Sequence, residues 1–221
     1  MTSHVSAQDV LLVAASGLAR EVIASAPKGV RFVGVLDDDR EKVGSTVAGV
    51  PVIGGLEEAA QRGPAKLTVC AGSGAARRAL VNRLGEFGVT DSDYETLIAR
   101  GVRIPEGCAV GPGTVLLDGV VLTTNVTIGR HVVVMPHVTL THDDAIADFV
   151  TLCAGVALGG SVRLGEAAYL GMNSSVRQNV QVGADAVLGM GAALLSDLPV
   201  CETWAGVPAQ PLAAKTLGSR R

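Results

Sequence analysis

An aliphatic side chain occupies every sixth position from Ile104 to Leu194, and all sixteen members of this series are Ile, Leu or Val. The residue four places after each of them is mostly Val or a small residue. A β-strand repeats every two residues and an α-helix about every 3.6 residues, so neither alone produces a period of six. A period of six sustained over this length predicts a solenoid of short stacked repeats.

Glycine directly follows the aliphatic residue in many of these repeats. We expect the glycines to form corners, where the backbone needs conformational freedom. Hexads of this form resemble those of the left-handed parallel β-helix acyltransferases, in which three hexads make one triangular coil. The resemblance implies about five coils in which residues eighteen apart lie above one another. The glycines are Gly111, Gly129, Gly159, Gly165, Gly171, Gly183 and Gly189.

The first hundred residues alternate apolar runs with helical patterns. Apolar runs at 9–15, 31–38 and 66–72 predict three strands. Helical patterns follow Gly17 and lie near 56–62 and at 75–87. Strands alternating with helices predict a small, Rossmann-like α/β domain with a parallel sheet. Ligands of such sheets bind at the carboxyl ends of the strands, so the three strand exits should converge on one crevice.

The three strand exits are Ala15-Ser16-Gly17, Asp37-Asp38 and Ala71-Gly72-Ser73. Three short motifs at these exits or in the helix after the last of them have two interpretations each. Ser16-Gly17 before a helix is typical of a ligand-binding turn, but it lacks the full dinucleotide fingerprint and a plain tight turn also explains it. Asp37-Asp38 is either a ligand-binding pair or a solvated turn. Arg77-Arg78 is either a pair of phosphate ligands or a solvated helix face.

Charge and composition exclude two classes of partner. The formal net charge is −3, whereas a nucleic-acid surface needs clustered Lys and Arg. No apolar stretch approaches the ~20 residues of a membrane-spanning helix, and the first residues lack the regions of a signal peptide. Four cysteines without C-x-x-C spacing predict buried, reduced thiols. We expect a soluble cytoplasmic protein that binds neither nucleic acid nor a membrane.

Longer motifs in both halves of the chain point to one family. They are AASGLAREV at 14–22, VLDDD at 35–39, GVPVIGG at 49–55, CAGSGAARR at 70–78, LTHDDAIADFVTLCAGVALGG at 140–160, YLGMNSSV at 169–176 and WAGVPAQPL at 204–212. In this order they resemble the bacterial sugar acyltransferases of the sialic acid O-acetyltransferase type. That family includes N-acetyltransferases of nucleotide-linked 4-amino-sugars. The resemblance covers nearly the whole chain.

The resemblance implies a domain organisation and a reaction. Residues 1–100 would bind a nucleotide-sugar, residues 101–198 would form the β-helix, and residues 199–221 a C-terminal cap and tail. The β-helices would form a homotrimer with acetyl-CoA between neighbouring subunits. The enzyme would transfer an acetyl group from acetyl-CoA to the 4-amino group of a nucleotide-linked amino-sugar, with no metal ion. The alternative acceptor is a sugar hydroxyl.

The family's catalytic histidine, which an acidic residue follows, falls on His142-Asp143. The 4-amino group arrives as an ammonium ion and must lose a proton before or during its attack on the thioester. Imidazole, with an unperturbed pKa near ~6.5, is a suitable base at neutral pH. A neighbouring carboxylate can fix the imidazole tautomer and stabilise its developing charge. Backbone N–H groups near Gly159-Gly160 are expected to polarise the thioester carbonyl.

The resemblance also implies the binding residues. For the nucleotide-sugar they are Ser16, Gly17, Leu18, Asp37, Asp38, Gly72, Ser73, Arg77 and Met135. For acetyl-CoA they are Gly159, Gly160, Met172, Met190, Gly206 and Lys215. Four positions depart from the family pattern: Ala14 replaces a first-loop glycine, Leu18 a His or Phe, Met135 an Asn near the sugar, and Gln210 a basic residue.

Two other functions fit parts of the sequence. His137 and His142 have the His-x4-His spacing of γ-class carbonic anhydrases, which share the β-helix. Those enzymes need a third histidine two coils earlier, where this chain has Gly101 and Glu106. A three-histidine zinc site within one chain therefore fails, although a site shared across a trimer stays open. The second alternative is a binding protein that has lost catalysis.

Overall fold

The computed structural model describes residues 7–212, which begin with a five-stranded sheet and two α-helices. The elements are β1 (Gln8–Val13), α1 (Gly17–Ala24), β2 (Val30–Leu36), β3 (Thr46–Val47), β4 (Val50–Gly54), β5 (Lys66–Val69) and α2 (Gly74–Glu86), with 3-10 turns at Arg40–Lys42, Leu56–Gln61 and Asp91–Asp93. The strand order is β3-β4-β2-β1-β5, parallel except for the β3–β4 hairpin. The predicted parallel α/β domain is confirmed.

The central strand and the first helix follow from local sequence. Val10, Leu12 and Val13 of β1 are fully buried, as expected of a parallel strand covered on both faces. Helix α1 begins after Ser16, whose hydroxyl accepts the N–H of Ala19 at 3.1 Å. Such a side chain satisfies one of the N–H groups that the first turn of a helix leaves unpaired.

The second part of the described chain winds into a three-sided solenoid of short strands. Each coil strand pairs in parallel with the strand eighteen residues later, as Val133 does with Thr151. The N-terminal domain packs against one sheet of the solenoid, which we call the docked face. This sheet contains β6 (Leu97–Ile98), β8 (Val115–Leu116), β11 (Val133–Val134), β14 (Thr151–Leu152), β17 (Tyr169–Leu170), β20 (Val187–Leu188), β22 (Thr203–Ala205) and, antiparallel at its end, β23 (Gln210–Pro211).

Two further sheets complete each coil. The middle face follows the docked face along the chain and contains β9 (Val121–Leu122), β12 (Thr139–Leu140), β15 (Ala157–Leu158), β18 (Ser175–Val176) and β21 (Ala193–Leu194). The far face contains β7 (Ala109–Val110), β10 (Thr127–Ile128), β13 (Ala145–Ile146), β16 (Arg163–Leu164) and β19 (Gln181–Val182). These sheets form the left-handed parallel β-helix that the hexad pattern predicts.

The interior of the β-helix is filled by two rows of side chains. Every member of the aliphatic row from Leu116 to Leu194 is at most 5% exposed. The residues four places later form a second inward row, in which Val126, Val138 and Val150 are fully buried. Because burying each Val or Leu side chain contributes roughly 1.5–3 kcal/mol, this narrow core needs no aromatic rings.

The glycines that follow the aliphatic residues do not supply the left-handed backbone of the corners, contrary to the prediction. The residue with left-handed backbone lies two places further on, as at Asp143 with φ +63° and Phe149 with φ +62°. Glycine is needed at the earlier position because successive coils approach closely there. A Cβ at Gly165 would lie 2.5 Å from the backbone nitrogen of Ala184. The repeat was therefore predicted correctly, but the reason for its glycines was wrong.

The N-terminal domain and the β-helix share a continuous interface. Val115, Leu117 and Val133 belong to one buried cluster together with Val10 and Leu12 of the sheet. The first solenoid strand, β6, begins a few residues before the predicted boundary at 101, and β22 continues the docked face beyond residue 198. The solenoid is therefore slightly longer at both ends than the sequence pattern indicates.

The cysteines and the helices bear on two further expectations. All four cysteines are free thiols, and Cys70 and Cys153 are buried, but Cys201 is exposed, contrary to the prediction. Cys201 departs because it lies at a left-handed corner after the last complete coil, with φ +60°. Between residues 7 and 212, no helix combines the length and apolar character needed to cross a membrane.

Candidate active site

His142 and Asp143 lie together at the corner between the middle and far faces, after β12. The Nδ1 atom of His142 is 2.8 Å from Oδ2 of Asp143, and both side chains are more than half exposed. Because a carboxylate only accepts, Nδ1 is the donor in this bond. The bond with His142, followed by a 3.2 Å bond from the Asn125 amide, lowers the pKa of Asp143. The pair is therefore an imidazole held through Nδ1 by a carboxylate, which leaves Nε2 outside this contact.

The imidazole of His142 lies over Gly160 on the next coil. A Cβ at Gly160 would lie 2.2 Å from Nε2, so glycine is the residue that leaves the ring in this position. The carbonyl of Gly160 accepts the N–H of Asn179 at 2.9 Å, whereas the N–H of Gly160 has no acceptor within residues 7–212. A base and a free backbone donor are therefore neighbours, as acyl transfer requires.

Asp144 is a site residue that the sequence analysis missed. It lies on the second inward row, is fully buried, and accepts the N–H groups of Thr141 at 2.8 Å and Val162 at 2.9 Å. Burial is the largest influence on its pKa and raises it to about 6. The available signal was an acidic residue at a hexad position that elsewhere is mostly Val or small.

The exits of β1, β2 and β5 meet in one crevice. The N–H of Ala15 donates to Oδ2 of Asp37 at 2.7 Å, and the hydroxyl of Ser16 donates to the carbonyl of Cys70 at 2.6 Å. Partial burial acts to raise the pKa of Asp37, but hydrogen bonds from backbone N–H groups and from Lys42 outweigh it and lower the pKa. A cavity of about 210 Å³ adjoins them, lined by Ala15, Ser16, Arg20, Lys42, Ser45, Thr46 and Val47. Its two cations and three hydroxyls suit an anionic group.

Asp38, the second predicted acid, lies outside this crevice. Its carboxylate pairs with Arg83 of α2 and lines a different cavity of about 600 Å³ beside Arg40 and Glu57. Neighbouring residues of an extended chain place their side chains on opposite sides, so the two acids separate. Asp38 therefore lies apart from Asp37, and its binding of the nucleotide-sugar stays a prediction.

Arg77 is a structural residue and not a substrate ligand, contrary to both interpretations of the Arg77-Arg78 motif. Its side chain is fully buried between α2 and the β-helix, and every guanidinium nitrogen donates to the protein. The neighbouring Arg78 pairs with Glu166 and Asp185 of the β-helix. The acceptors of Arg77 are the carbonyls of His131, Ala71, Gly72, Phe149 and Val150 and the hydroxyl of Thr151.

The remaining predicted sugar residues differ in exposure. Leu18 is 6% exposed and belongs to the hydrophobic cluster against the docked face, so it has no surface for a substrate and that prediction is corrected. Gly17 and Ser73 are exposed at the first turns of α1 and α2. The carbonyl of Gly72 is occupied by Arg77 and Thr151. Met135 is half-buried at the corner between the docked and middle faces, against the same cluster as Ala15.

The predicted acetyl-CoA residues fall on two corners. Gly159 and Gly160 lie at the middle–far corner, one coil after His142. Met172 and Met190 lie on successive coils of the docked–middle corner and are 49% and 72% exposed. Gly206 is exposed with φ +96°, and Lys215 lies outside the described residues.

The three histidines of the solenoid occupy three successive corners of one coil. His131 is fully buried between Tyr94 and Phe149, His137 is exposed, and His142 carries the contact with Asp143. Burial lowers the pKa of His131 to about 4. Across residues 7–212, no group of three or more His, Cys, Asp or Glu side chains is placed to hold a metal ion.

Comparison with solved structures places the chain among known folds. GDP-perosamine N-acetyltransferase from Caulobacter crescentus, in complex with CoA and GDP-perosamine, is 26% identical with a TM-score of 0.85, over 93% of this chain and 97% of that one. Two structures of that enzyme carry a histidine substitution. The acetyltransferase domain of PglB from Neisseria gonorrhoeae, in complex with acetyl coenzyme A, is 26% identical with a TM-score of 0.83, over 94% of this chain and 100% of that one.

A third structure, WeeI from Acinetobacter baumannii, shares the fold with a TM-score of 0.75 at 23% identity, over 93% of this chain and 100% of that one. No protein-family model and no curated protein matches the sequence.

Proposed function

The chain belongs to the bacterial sugar acyltransferases of the hexapeptide-repeat superfamily, and we propose that it acetylates the 4-amino group of a nucleotide-linked amino-sugar. Acetyl-CoA is the acyl donor. The observation that carries the proposal is the His142-Asp143 pair beside the free N–H of Gly160. The matched Caulobacter enzyme, which binds CoA and GDP-perosamine, supports an acceptor of this class.

His142 acts as the general base in this proposal. Its Nε2 atom takes a proton from the amine as the amine nitrogen attacks the thioester carbonyl. Asp143 holds Nδ1 and stabilises the imidazolium that forms. The C–S bond then breaks, and the imidazolium returns its proton to the CoA thiolate.

The N–H of Gly160 binds the oxygen of the thioester carbonyl. Negative charge develops on that oxygen during attack, and a fixed backbone donor stabilises it without reorganisation. Because Nε2 lies directly over Gly160, one acetyl group reaches both the base and the donor.

The crevice at the strand exits binds the nucleotide-sugar. Asp37 is held in place by the N–H of Ala15, and Arg20 and Lys42 line the adjoining cavity. A diphosphate group carries charges that these cations complement. The hydroxyls of Ser16 and Ser45 already donate to carbonyl groups, so Thr46 is the hydroxyl of this lining that can donate to a phosphate oxygen.

The arrangement of the corners supports a homotrimer with shared sites. The crevice lies near Met135 on the docked–middle corner, whereas His142 lies at the other end of β12 on the middle–far corner. One side of a coil spans six residues, or about 20 Å at ~3.3 Å per residue. A substrate held in the crevice therefore meets the base of a neighbouring copy, with acetyl-CoA between the two β-helices.

The test is thiol release from acetyl-CoA with a nucleotide-linked 4-amino-sugar as acceptor. We expect activity with the amine, none with the matching 4-hydroxy compound, and a loss of kcat of about 10²–10⁴-fold in His142→Ala. His137→Ala, which removes an exposed imidazole from another corner of the same coil, is the control. Full activity of His142→Ala would contradict the assignment of the base, and acetylation of the hydroxyl compound alone would make the enzyme an O-acetyltransferase.

A further inference from the structure

A buried acidic side chain lies beside the proposed base and has no role in the mechanism above. Asp144 is fully buried on the second inward row of the β-helix. The same row holds Val138 one hexad earlier and Val150 one hexad later, both also fully buried. Valine would therefore fill the core at this position, so packing does not explain the carboxylate.

The carboxylate connects two corners of the β-helix. One oxygen accepts the N–H of Thr141, at the start of the corner that carries His142. The other accepts the N–H of Val162 on the next coil, directly after the corner formed by Gly160 and Ser161. The base and the backbone donor are thus fixed relative to each other by one side chain.

Thr114 provides an internal comparison on the same row. Its hydroxyl accepts the N–H of Val132, eighteen residues later, at 3.0 Å and donates to the carbonyl of Gly129 at 2.8 Å. Asp144 makes the equivalent contact with Val162 but uses its second oxygen for Thr141. A hydroxyl therefore suffices to join two coils, and the carboxylate adds the bond that holds the corner of His142.

The charge on Asp144 opposes folding. Its pKa rises to about 6 because burial disfavours the carboxylate, while the N–H groups of Val162 and Thr141 and the nearby His142 act to lower it and Asp143 acts to raise it. His142 and Asp143 are the ionisable side chains that influence this carboxylate. A residue that breaks the local pattern at a cost to stability is most often found at a functional site.

We propose that Asp144 is a positioning residue for acyl transfer, which sets the separation between the imidazole of His142 and the N–H of Gly160. This inference rests on the proposed function, because it assumes that both groups act on the acetyl group. Asp144 itself touches neither substrate.

The first test compares Asp144→Val with Thr114→Val. Asp144→Val removes a buried charge that opposes folding at pH 8, and valine matches Val138 and Val150 in the same row, so we expect a melting temperature equal to or above that of the unmodified enzyme. Thr114 carries no such charge. Misplacement of reacting groups by about 1 Å can lower a rate about 100-fold, so we expect kcat to fall at least about 10-fold with little change in KM. Thr114→Val removes the same kind of bond between coils away from His142 and should lower the melting temperature without lowering kcat.

The second test uses Asp144→Thr, which copies the contacts of Thr114. It should recover part of the lost kcat by restoring the bond to Val162. Its pH profile should also have a shallower acid limb, because the Asp144 carboxylate, with its pKa raised to about 6, takes up a proton there in the unmodified enzyme and threonine does not.

The outcomes separate this inference from the proposed function. An unchanged kcat in Asp144→Val, or equal losses of kcat in Asp144→Val and Thr114→Val, would overturn the positioning role. Neither result would affect the assignment of His142 as the base, which predicts an inactive His142→Ala enzyme. Activity that survives in His142→Ala would instead overturn the proposed base, whatever Asp144 does.

Discussion

A side chain at Gly160 would occupy the space that the His142 imidazole fills. The atoms nearest to a Cβ there all belong to that ring, with Nε2 at 2.2 Å. The ring is exposed and free to rotate, so Gly160→Ala should displace it from Asp143 with a stability change below about 1 kcal/mol. We expect kcat to fall about 10-fold or more, measured by thiol release at saturating substrate.

The adjacent glycine is the control for this prediction. A Cβ at Gly159 would lie 2.6 Å from the backbone nitrogen of Gln178, which cannot move without separating two coils. Gly159→Ala should therefore lower the melting temperature, whereas Gly160→Ala should not. If Gly160→Ala unfolds as readily as Gly159→Ala, the contact at Gly160 is structural and the interpretation fails.

At the residue scale, the sequence predicted the proposed base and carboxylate but misassigned other polar side chains. His142-Asp143 was found because a family motif surrounds it. The family resemblance placed Arg77 in the substrate site, although its side chain is buried against the β-helix. It placed Asp38 there as well, and this acid pairs with Arg83. Asp144 was missed because the hexad pattern was scored for its aliphatic row and not for exceptions in the second row. Charge at an inward position is visible in sequence only once the register of the coils is known.

At the scale of elements, Arg77 connects α2 to two coils of the β-helix. Its nitrogens donate to five carbonyls and one hydroxyl, and burial lowers its pKa to about 10. Lysine carries three donors at one point and cannot reproduce this planar arrangement. We expect Arg77→Lys to reduce the free energy of unfolding by roughly 3–5 kcal/mol, measured by chemical denaturation.

The neighbouring arginine is the matched control for the docking contact. Arg78 pairs with Glu166 and Asp185 at the surface, and such exposed pairs contribute about 0–1 kcal/mol. Arg78→Ala should therefore cost much less than Arg77→Lys. Equal costs would mean that the surface ion pairs, and not the buried guanidinium, hold the two domains together.

Elements that belong to a long sequence repeat were predicted well. Features that depend on contacts between successive coils were predicted poorly. The hexads gave the strands of the β-helix because a sixteenfold repeat outweighs local ambiguity. The hexads led to a wrong prediction of why glycine recurs. The position with a left-handed backbone holds residues as large as Phe149, whereas glycine is required at 165 because the following coil lies so close. The β3–β4 hairpin was not predicted because β3 spans only two residues and belongs to no repeat.

At the scale of the whole molecule, one chain places its substrate crevice and its base on different corners. Met135 and the crevice lie before β12, and His142 lies after it. The exposed methionines Met172 and Met190 lie on the corner of the crevice and not on the corner of the base. Under the proposed function, a groove lined by both corners needs two copies, and catalysis would then be a property of the assembly.

Mixed trimers test this arrangement directly. One parent is His142→Ala, which lacks the base, and the other is Gly17→Trp, which obstructs the crevice beside Ser16. A Cβ at Gly17 meets no atom within 4 Å and Gly17 is exposed, so we expect each parent to be folded but inactive, with folding checked by its melting temperature. If sites are shared between neighbours, every trimer that contains both parents has an intact crevice facing an intact base at about one third of its sites. The two parents are co-expressed with different affinity tags, and trimers that carry both tags are purified. These trimers should regain activity in proportion to the fraction of intact sites, whereas trimers made from two tagged forms of one parent should stay inactive. Doubly tagged trimers without activity would place crevice and base in the same subunit.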